Sequence, residues 1–243
     1  MTWNNKTIWS EGLFVKPVHF QQQERYTEHY IAQLQQFSSA YKWGVFEVSV
    51  DQDLLNIGKF AISSASGIMP DGTPFNIPSD TPAPAPVDLP EGVLDQLIYL
   101  SLPVRSLNRE YREFDNESGI FRYVPAQDEL PDVASNAQQT NLLQVGKLNF
   151  SSLKEEDKRS DYSCIAVSHI VECDKDKQVV LNKRFIAPSL NVSQSPHLKS
   201  YLHELASLLE HRATNLAARV GASGTGGAAE VADFLLLQAI NRN

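Results

Sequence analysis

The chain has 243 residues and a formal net charge of -8, with 42% hydrophobic and 21% charged side chains. That mix supports a folded core, excludes a disordered chain, and is wrong for a phosphate-binding surface, so no nucleic-acid partner is expected. No run approaches the roughly 18 apolar residues of a membrane span and the N-terminus lacks a signal-peptide pattern, which points to an acidic, cytoplasmic, soluble protein without direct membrane insertion.

The first stretch is an apolar arm. Trp3, Ile8, Trp9, Leu13, Phe14 and Phe20 crowd a segment too near the start to have built a core of its own. A soluble chain rarely exposes that much contiguous apolar surface, so the arm is expected to tuck under its own domain or to dock on a partner. Pro17 suits the first position of a helix. Phe20, Tyr26, Tyr30, Ile31, Leu34 and Phe37 then fall mostly at helical spacing, which predicts an amphipathic helix over about residues 18–37. Its other face is rich in Gln and Glu and is expected to be solvated or hydrogen-bonded to a neighbour.

Beyond Trp43 and Gly44 the period shortens to that of strands. Candidates are residues 45–50, 55–64, 67–69, 96–102, 120–124, 141–150, 162–171 and 179–186. Pro70-Asp71-Gly72-Thr73 reads as a tight turn, with Pro fixing one φ and Gly free to take a positive one. Strands parted by turn clusters, without long helices between them, predict an antiparallel β-sandwich or barrel rather than a parallel α/β fold. Six of the 13 prolines lie between Pro74 and Pro90, which predicts an extended surface connection there. Residues 107–118, dense in Arg, Glu, Asp and Asn, read as a solvated excursion.

After Pro188 the helical period returns. Ser195 is a good cap and Pro196 takes the first helical position. Leu198, Leu202, Leu205, Leu209, Arg212 and Leu216 repeat at alternating steps of four and three, a heptad seam broadened by Tyr201, Leu208 and Val220. Such a helix, about 37 Å long at roughly 1.5 Å per residue, cannot bury both apolar flanks on one short partner, so association of several chains is expected. It stops at Gly221, where a stretch to Gly227 holds four of the 12 glycines. A second helix, with Val231, Phe234, Leu235, Leu236 and Ile240, starts near Ala228 and is expected to belong to a bundle cut short by the end of the chain. The predicted domains are an arm and helix over 1–37, a β-sandwich over 38–190 and the start of a helical neck over 191–243.

Reactive chemistry finds little support. His203 and His211 are eight apart, His197 and His203 six apart, and neither matches the i, i+4 pair of a metalloprotease helix. His19 and His29 face different ways on their helix. His169, Cys164 and Cys173 lack the spacing of a zinc motif, and the two cysteines read as small buried hydrophobes. The glycine-rich Gly224-Thr225-Gly226-Gly227 follows a helix rather than a strand and no Lys-Ser/Thr pair follows it, so a nucleotide loop fails its context. Glu155 with Glu156 and Glu110 with Glu113 sit in charged segments suited to solvent rather than acid–base work. No catalytic residue, metal or cofactor is expected.

Four stretches together resemble the TssK family, baseplate subunits of the bacterial type VI secretion system. They are Trp9-Ser10-Glu11-Gly12-Leu13-Phe14 with Pro17-Val18-His19-Phe20-Gln21-Gln22-Gln23; Gly58-Lys59-Phe60-Ala61 through Pro70-Asp71-Gly72-Thr73-Pro74-Phe75; Ser195-Pro196 with its leucine helix; and Gly226-Gly227 into Glu230-Val231-Ala232-Asp233-Phe234-Leu235-Leu236-Leu237-Gln238. Val18 departs from the Gln usual in the family, and members run to roughly twice this length. The resemblance implies a homotrimer with a sandwich similar to the shoulder of phage receptor-binding proteins, followed by a helical neck. It implies a non-enzymatic adaptor, docked at the inner face of the inner membrane. There the N-terminal region holds a TssF–TssG wedge, and a C-terminal head, absent here, meets the cytoplasmic parts of TssL and TssM. Trp9, Leu13, Phe14, His19 and Phe20 are then the expected partner interface, and Leu198, Leu202, Leu205, Leu209 and Leu216 the trimer interface. The competing reading is a carbohydrate-binding sandwich with Tyr111, Phe114 and Tyr123 as its platform.

Overall fold

The computed structural model of the chain describes residues 4–38, 40–106, 119–131, 140–222 and 228–241. Trp3, the charged excursion 107–118 with Tyr111 and Phe114, and the glycine-rich link 223–227 lie outside the described residues. Two compact units emerge, Met1–Asn191 and Val192–Asn243.

The first unit opens with the arm and helix α1 (Pro17–Ser38), which starts at the proline as its fixed φ allows. Two sheets then share one core. The first holds β1 (Gly44–Val50), β3 (Ile62–Ile68) and β4 (Pro74–Ile77) in the order β1-β3-β4, all antiparallel. The second holds β6 (Leu94–Pro103), β9 (Ser151–Lys154), β10 (Tyr162–Cys173) and β11 (Val179–Leu181) in the order β11-β10-β6-β9. Alternation in β6 sends Ile98, Leu100 and Leu102 inward, all fully buried. In β10 a register shift between Ala166 and Ser168 resets the inward set from Ile165 and Val167 to Ile170. From the facing sheet come Val45, Ile62, Ala65, Phe75 and Ile77, and the two sets form a single apolar cluster. This is an antiparallel sandwich, as the sequence pattern predicts.

Several elements differ from their predicted bounds. The expected strand over 55–64 divides into a one-turn helix α2 (Gln52–Leu55), β2 (Lys59–Phe60) and the start of β3. Asp51 causes the division, because its Oδ1 accepts from the amides of Asp53 and Leu54 at 3.0 and 3.1 Å and caps a helical turn. β7 (Tyr123–Pro131) runs well past the expected 120–124, through Gln127, Asp128 and Glu129. It pairs along its whole length with β8 (Thr140–Leu148), so ladder hydrogen bonds rather than burial sustain it. The expected strand over 141–150 ends at Leu148 and resumes as β9, and that over 179–186 shortens to β11. The proline-rich stretch is less detached than expected. Phe75, Ile77, Thr81 and Leu89 are buried, Thr81 donates to the Leu148 carbonyl at 3.0 Å, and β5 (Val87–Asp88) pairs with β2.

β1 is fixed where it meets the end of the unit. Val45 donates to the Pro188 carbonyl at 2.8 Å and Leu190 donates to the Val45 carbonyl at 2.9 Å. On its other side β1 lies so close to β3 that a Cβ on Gly67 would lie 2.3 Å from the Gly44 carbonyl oxygen and 2.9 Å from Val45 Cα. Both are main-chain atoms, which cannot swing aside as a side-chain tip can. Gly67→Ala should therefore lower stability by about 2 kcal/mol, the usual cost of forcing atoms into a packed site. A urea midpoint unchanged from the parent would show that the sheet yields there.

In the second unit a short 3₁₀ turn (Val192–Gln194) leads into α3 (Pro196–Ala222), and α4 (Ala228–Asn241) packs on α3. Ser195 caps α3 through its side chain, accepting from the Leu198 amide at 3.4 Å.

Candidate partner-binding surface

The arm has a defined shape. Ser10 to Leu13 form a tight turn in which the Leu13 amide donates to the Ser10 carbonyl at 3.2 Å. Gly12 sits at its third position with φ +79, a conformation that glycine adopts without strain. Polar contacts tie the arm to α1. Gln22 donates to the Asn5 carbonyl at 2.7 Å, and Thr7 donates to the His19 carbonyl at 3.3 Å. His19 Nδ1 accepts from the Lys16 amide at 3.0 Å, at the entrance of the helix. The Trp9 ring stands 6.2 Å from the His19 ring and 6.0 Å from the Phe20 ring, within the range of favourable tilted aromatic pairs.

Of the five expected interface residues Trp9, His19 and Phe20 thus come together, and none of the five is fully buried under its own domain. Leu13 and His19 are half-buried and Trp9 is exposed, while Phe14 and Phe20 keep 79% and 62% of their surface in solvent. Of the two fates open to the arm, tucking in is not the one the chain adopts.

Helix α1 continues this apolar surface in an orientation the sequence did not reveal. Ile31, Leu34 and Phe37 point outward with Phe20, and none of the residues of α1 is fully buried. The half-buried underside is polar: Arg25, Glu28, His29, Gln33 and Gln35 line it with Tyr26 and Ala32. The Gln and Glu face, expected to be solvated or hydrogen-bonded to a neighbour, is the face laid on the sandwich. Glu28 makes a salt bridge to Arg105, and Gln35 donates to the Lys42 carbonyl at 2.6 Å. A cleft of about 260 Å³ remains between helix and sheet, lined by His29, Gln33, Lys42 and Asp71 among others. Spacing alone identifies the apolar stripe; the Gln-rich opposite face was the signal that it could turn outward.

Beneath α1 lies the turn Pro70–Thr73. Met69 and Thr73 close it with a backbone bond of 2.8 Å, and Gly72 is at φ +87 against Ala32 of the helix. Arg122, wholly buried, braces this turn. It pairs with Asp71 at 2.9 Å, donates to the Thr73 hydroxyl, and donates to the Pro103 carbonyl at 2.6 Å. Nothing in the sequence marks Arg122 as internal, since arginine is rarely buried without a partner and the partners are distant in the chain. The next residue, Tyr123, has its phenol pushed above its ordinary pKa by burial and then by the Glu28 carboxylate, with Arg122 and Arg105 opposing. Tyr123 is thus half-buried among these charges.

The second unit also presents apolar side chains. Leu202, Leu205 and Leu209 are exposed, Leu198 is half-buried, and Leu216 is buried within the single chain. Tyr201, Leu208, Val231, Phe234 and Leu235 widen the exposed apolar surface of α3 and α4.

Among the described residues no three His, Cys, Asp or Glu side chains converge as metal ligands, and no helix is long and apolar enough to cross a membrane. His169 is engaged by Asp95 at 2.7 Å and by Asn182 at 2.9 Å, contacts that tie β10 to its neighbours. Cys164 and Cys173 are free thiols.

Comparison with known proteins supplies the context. A family model described as "Bacterial Type VI secretion, VC_A0110, EvfL, ImpJ, VasE" matches residues 19–243. The chain is 41% identical, over all 243 of its residues, to the type VI secretion system baseplate component TssK1 of Pseudomonas aeruginosa, and covers 55% of it. It is similar to a crystal structure of TssK with a TM-score of 0.85 and 34% identity, covering 98% of this chain and 54% of that one. The fold also matches a chain of the TssK-TssF-TssG baseplate subcomplex seen by cryo-electron microscopy, with a TM-score of 0.81, 23% identity, and coverage of 98% and 77%. The chain spans about half the length of TssK1 and of the crystallised TssK. On the match to the family model and the 41% identity to TssK1 over its whole length, the chain belongs to the bacterial type VI secretion family of VasE, ImpJ and TssK.

Proposed function

We propose that the chain is a non-enzymatic structural adaptor of a type VI secretion baseplate, working as a homotrimer at the cytoplasmic face of the inner membrane. Trp9, Leu13, Phe14, His19 and Phe20 grip a TssF–TssG wedge, with the outer face of α1 extending that surface. Leu198, Leu202, Leu205 and Leu209 hold the three copies together, with Leu216 supporting the helix from within. One observation carries this reading: large apolar side chains are fixed in place by the arm's hydrogen bonds and still face solvent. A soluble protein keeps such a patch for a partner. The similarity to TssK1, a baseplate component, and to a TssK seen with TssF and TssG supports the choice of partner.

Aromatic anchors at the centre of an interface typically contribute about 2 kcal/mol or more each, or roughly thirtyfold in affinity. Trp9→Ala and Phe14→Ala should each reduce recovery of TssF–TssG in a pull-down while the trimer persists by light scattering. Undiminished recovery with both variants would remove the arm from the interface.

A further inference from the structure

Hydrophobic burial alone would roll α1 the other way, placing Ile31, Leu34 and Phe37 on the sandwich and its glutamines in water. The helix sits in the opposite sense, so something other than apolar area must hold it. One charged contact and one braced turn lie where that force is needed. Glu28, on the underside, pairs with Arg105 just beyond β6, and each keeps only 30% of its side chain exposed. About one helical turn further on, Ala32 rests against Gly72, in the turn that Arg122 fixes through Asp71 at 2.9 Å and through Thr73. Tyr123 links the two contacts, for it follows Arg122 in the chain and lies in the fields of Glu28 and Arg105. Rolling the helix would strand Arg105 and Glu28, two half-covered charges, without each other, which is costly away from bulk water.

We propose that Glu28–Arg105 and Asp71–Arg122 form a clasp that seats α1 with its apolar stripe outward. Arg105 and Arg122 are positioning residues for the partner surface, and α1 is a docking element that can loosen while the sandwich stays folded. The consequence for binding rests on the adaptor reading; the clasp itself does not.

Hydrogen exchange on the intact chain tests it. In Glu28→Gln and in Arg105→Gln, amides of α1 should exchange about tenfold faster, while those of β6 and β10 keep their protection. The reciprocal pair, Glu28→Arg with Arg105→Glu, should restore protection of α1, which a merely structural loss would not do. Unchanged exchange of α1 in both single variants overturns the clasp, as does loosening that spreads equally to β6 and β10, or a reciprocal pair that stays loose. Recovery of TssF–TssG should fall in the single variants and return in the pair. If α1 loosens and recovers while capture never changes, the clasp stands and the partner assignment falls.

Discussion

Replacing Arg122 with methionine should lower the unfolding free energy by about 3 kcal/mol, seen as a lower denaturant midpoint with an unchanged slope. Methionine keeps most of the volume and removes every donor. The Pro103 carbonyl, buried in β6, then loses its partner, and a buried acceptor left unmade costs about 1–3 kcal/mol. The Thr73 hydroxyl, also buried, loses a second contact. Asp71 loses its cation, but its side chain is 24% exposed, so water recovers part of that interaction. Adding Asp71→Asn to Arg122→Met should restore part of the loss, because the stranded charge is gone. A loss below about 1 kcal/mol would mean that water replaces the guanidinium inside the sandwich.

The sandwich was legible because strands buried on one face carry their own period. Ile98, Leu100 and Leu102 fall at every second position with Tyr99 and Ser101 between them, and the turn at Pro70–Thr73 is written in its proline and glycine. β7 was not legible beyond Val124, since neither of its faces is buried and cross-strand pairing leaves no mark on composition. The one-turn helix at 52–55 hid behind apolar Leu54 and Leu55, although Asp51 was a visible cap. At the candidate site the arm was legible as apolar surface in the wrong place. Its tie to α1 through Gln22, Thr7 and His19 was not, because those are contacts to backbone groups and any polar side chain could make them. The facing of α1 was the largest surprise, and its cause lies in residues far apart in sequence: Glu28 with Arg105, and Asp71 with Arg122. Period locates an apolar stripe on a helix; only the charges around it decide which way the stripe looks.

An aspartate at Leu205 should convert the proposed trimer to monomers, read as a threefold drop in mass by light scattering. Leu205 keeps 54% of its surface exposed in the single chain, and Leu202 58%. Fully burying a leucine is worth about 1.5–3 kcal/mol, and a three-helix seam collects that from each copy at several levels. The substitution removes the apolar gain and brings three carboxylates together at one level of a dry axis. They repel one another there and lose hydration, or must bind protons to remain. The effect should be confined to assembly. Leu205 is exposed before association, so α3, capped by Ser195, should keep its helical signal and its packing on α4. Leu216 gives the contrast, for it is only 4% exposed in the single chain. An aspartate there should disturb the fold of the helical unit itself, costing helical signal as well as mass. A Leu205→Asp protein that still runs as a trimer would place the joint between copies elsewhere, with the exposed faces of α1 and α4 the next surfaces to test.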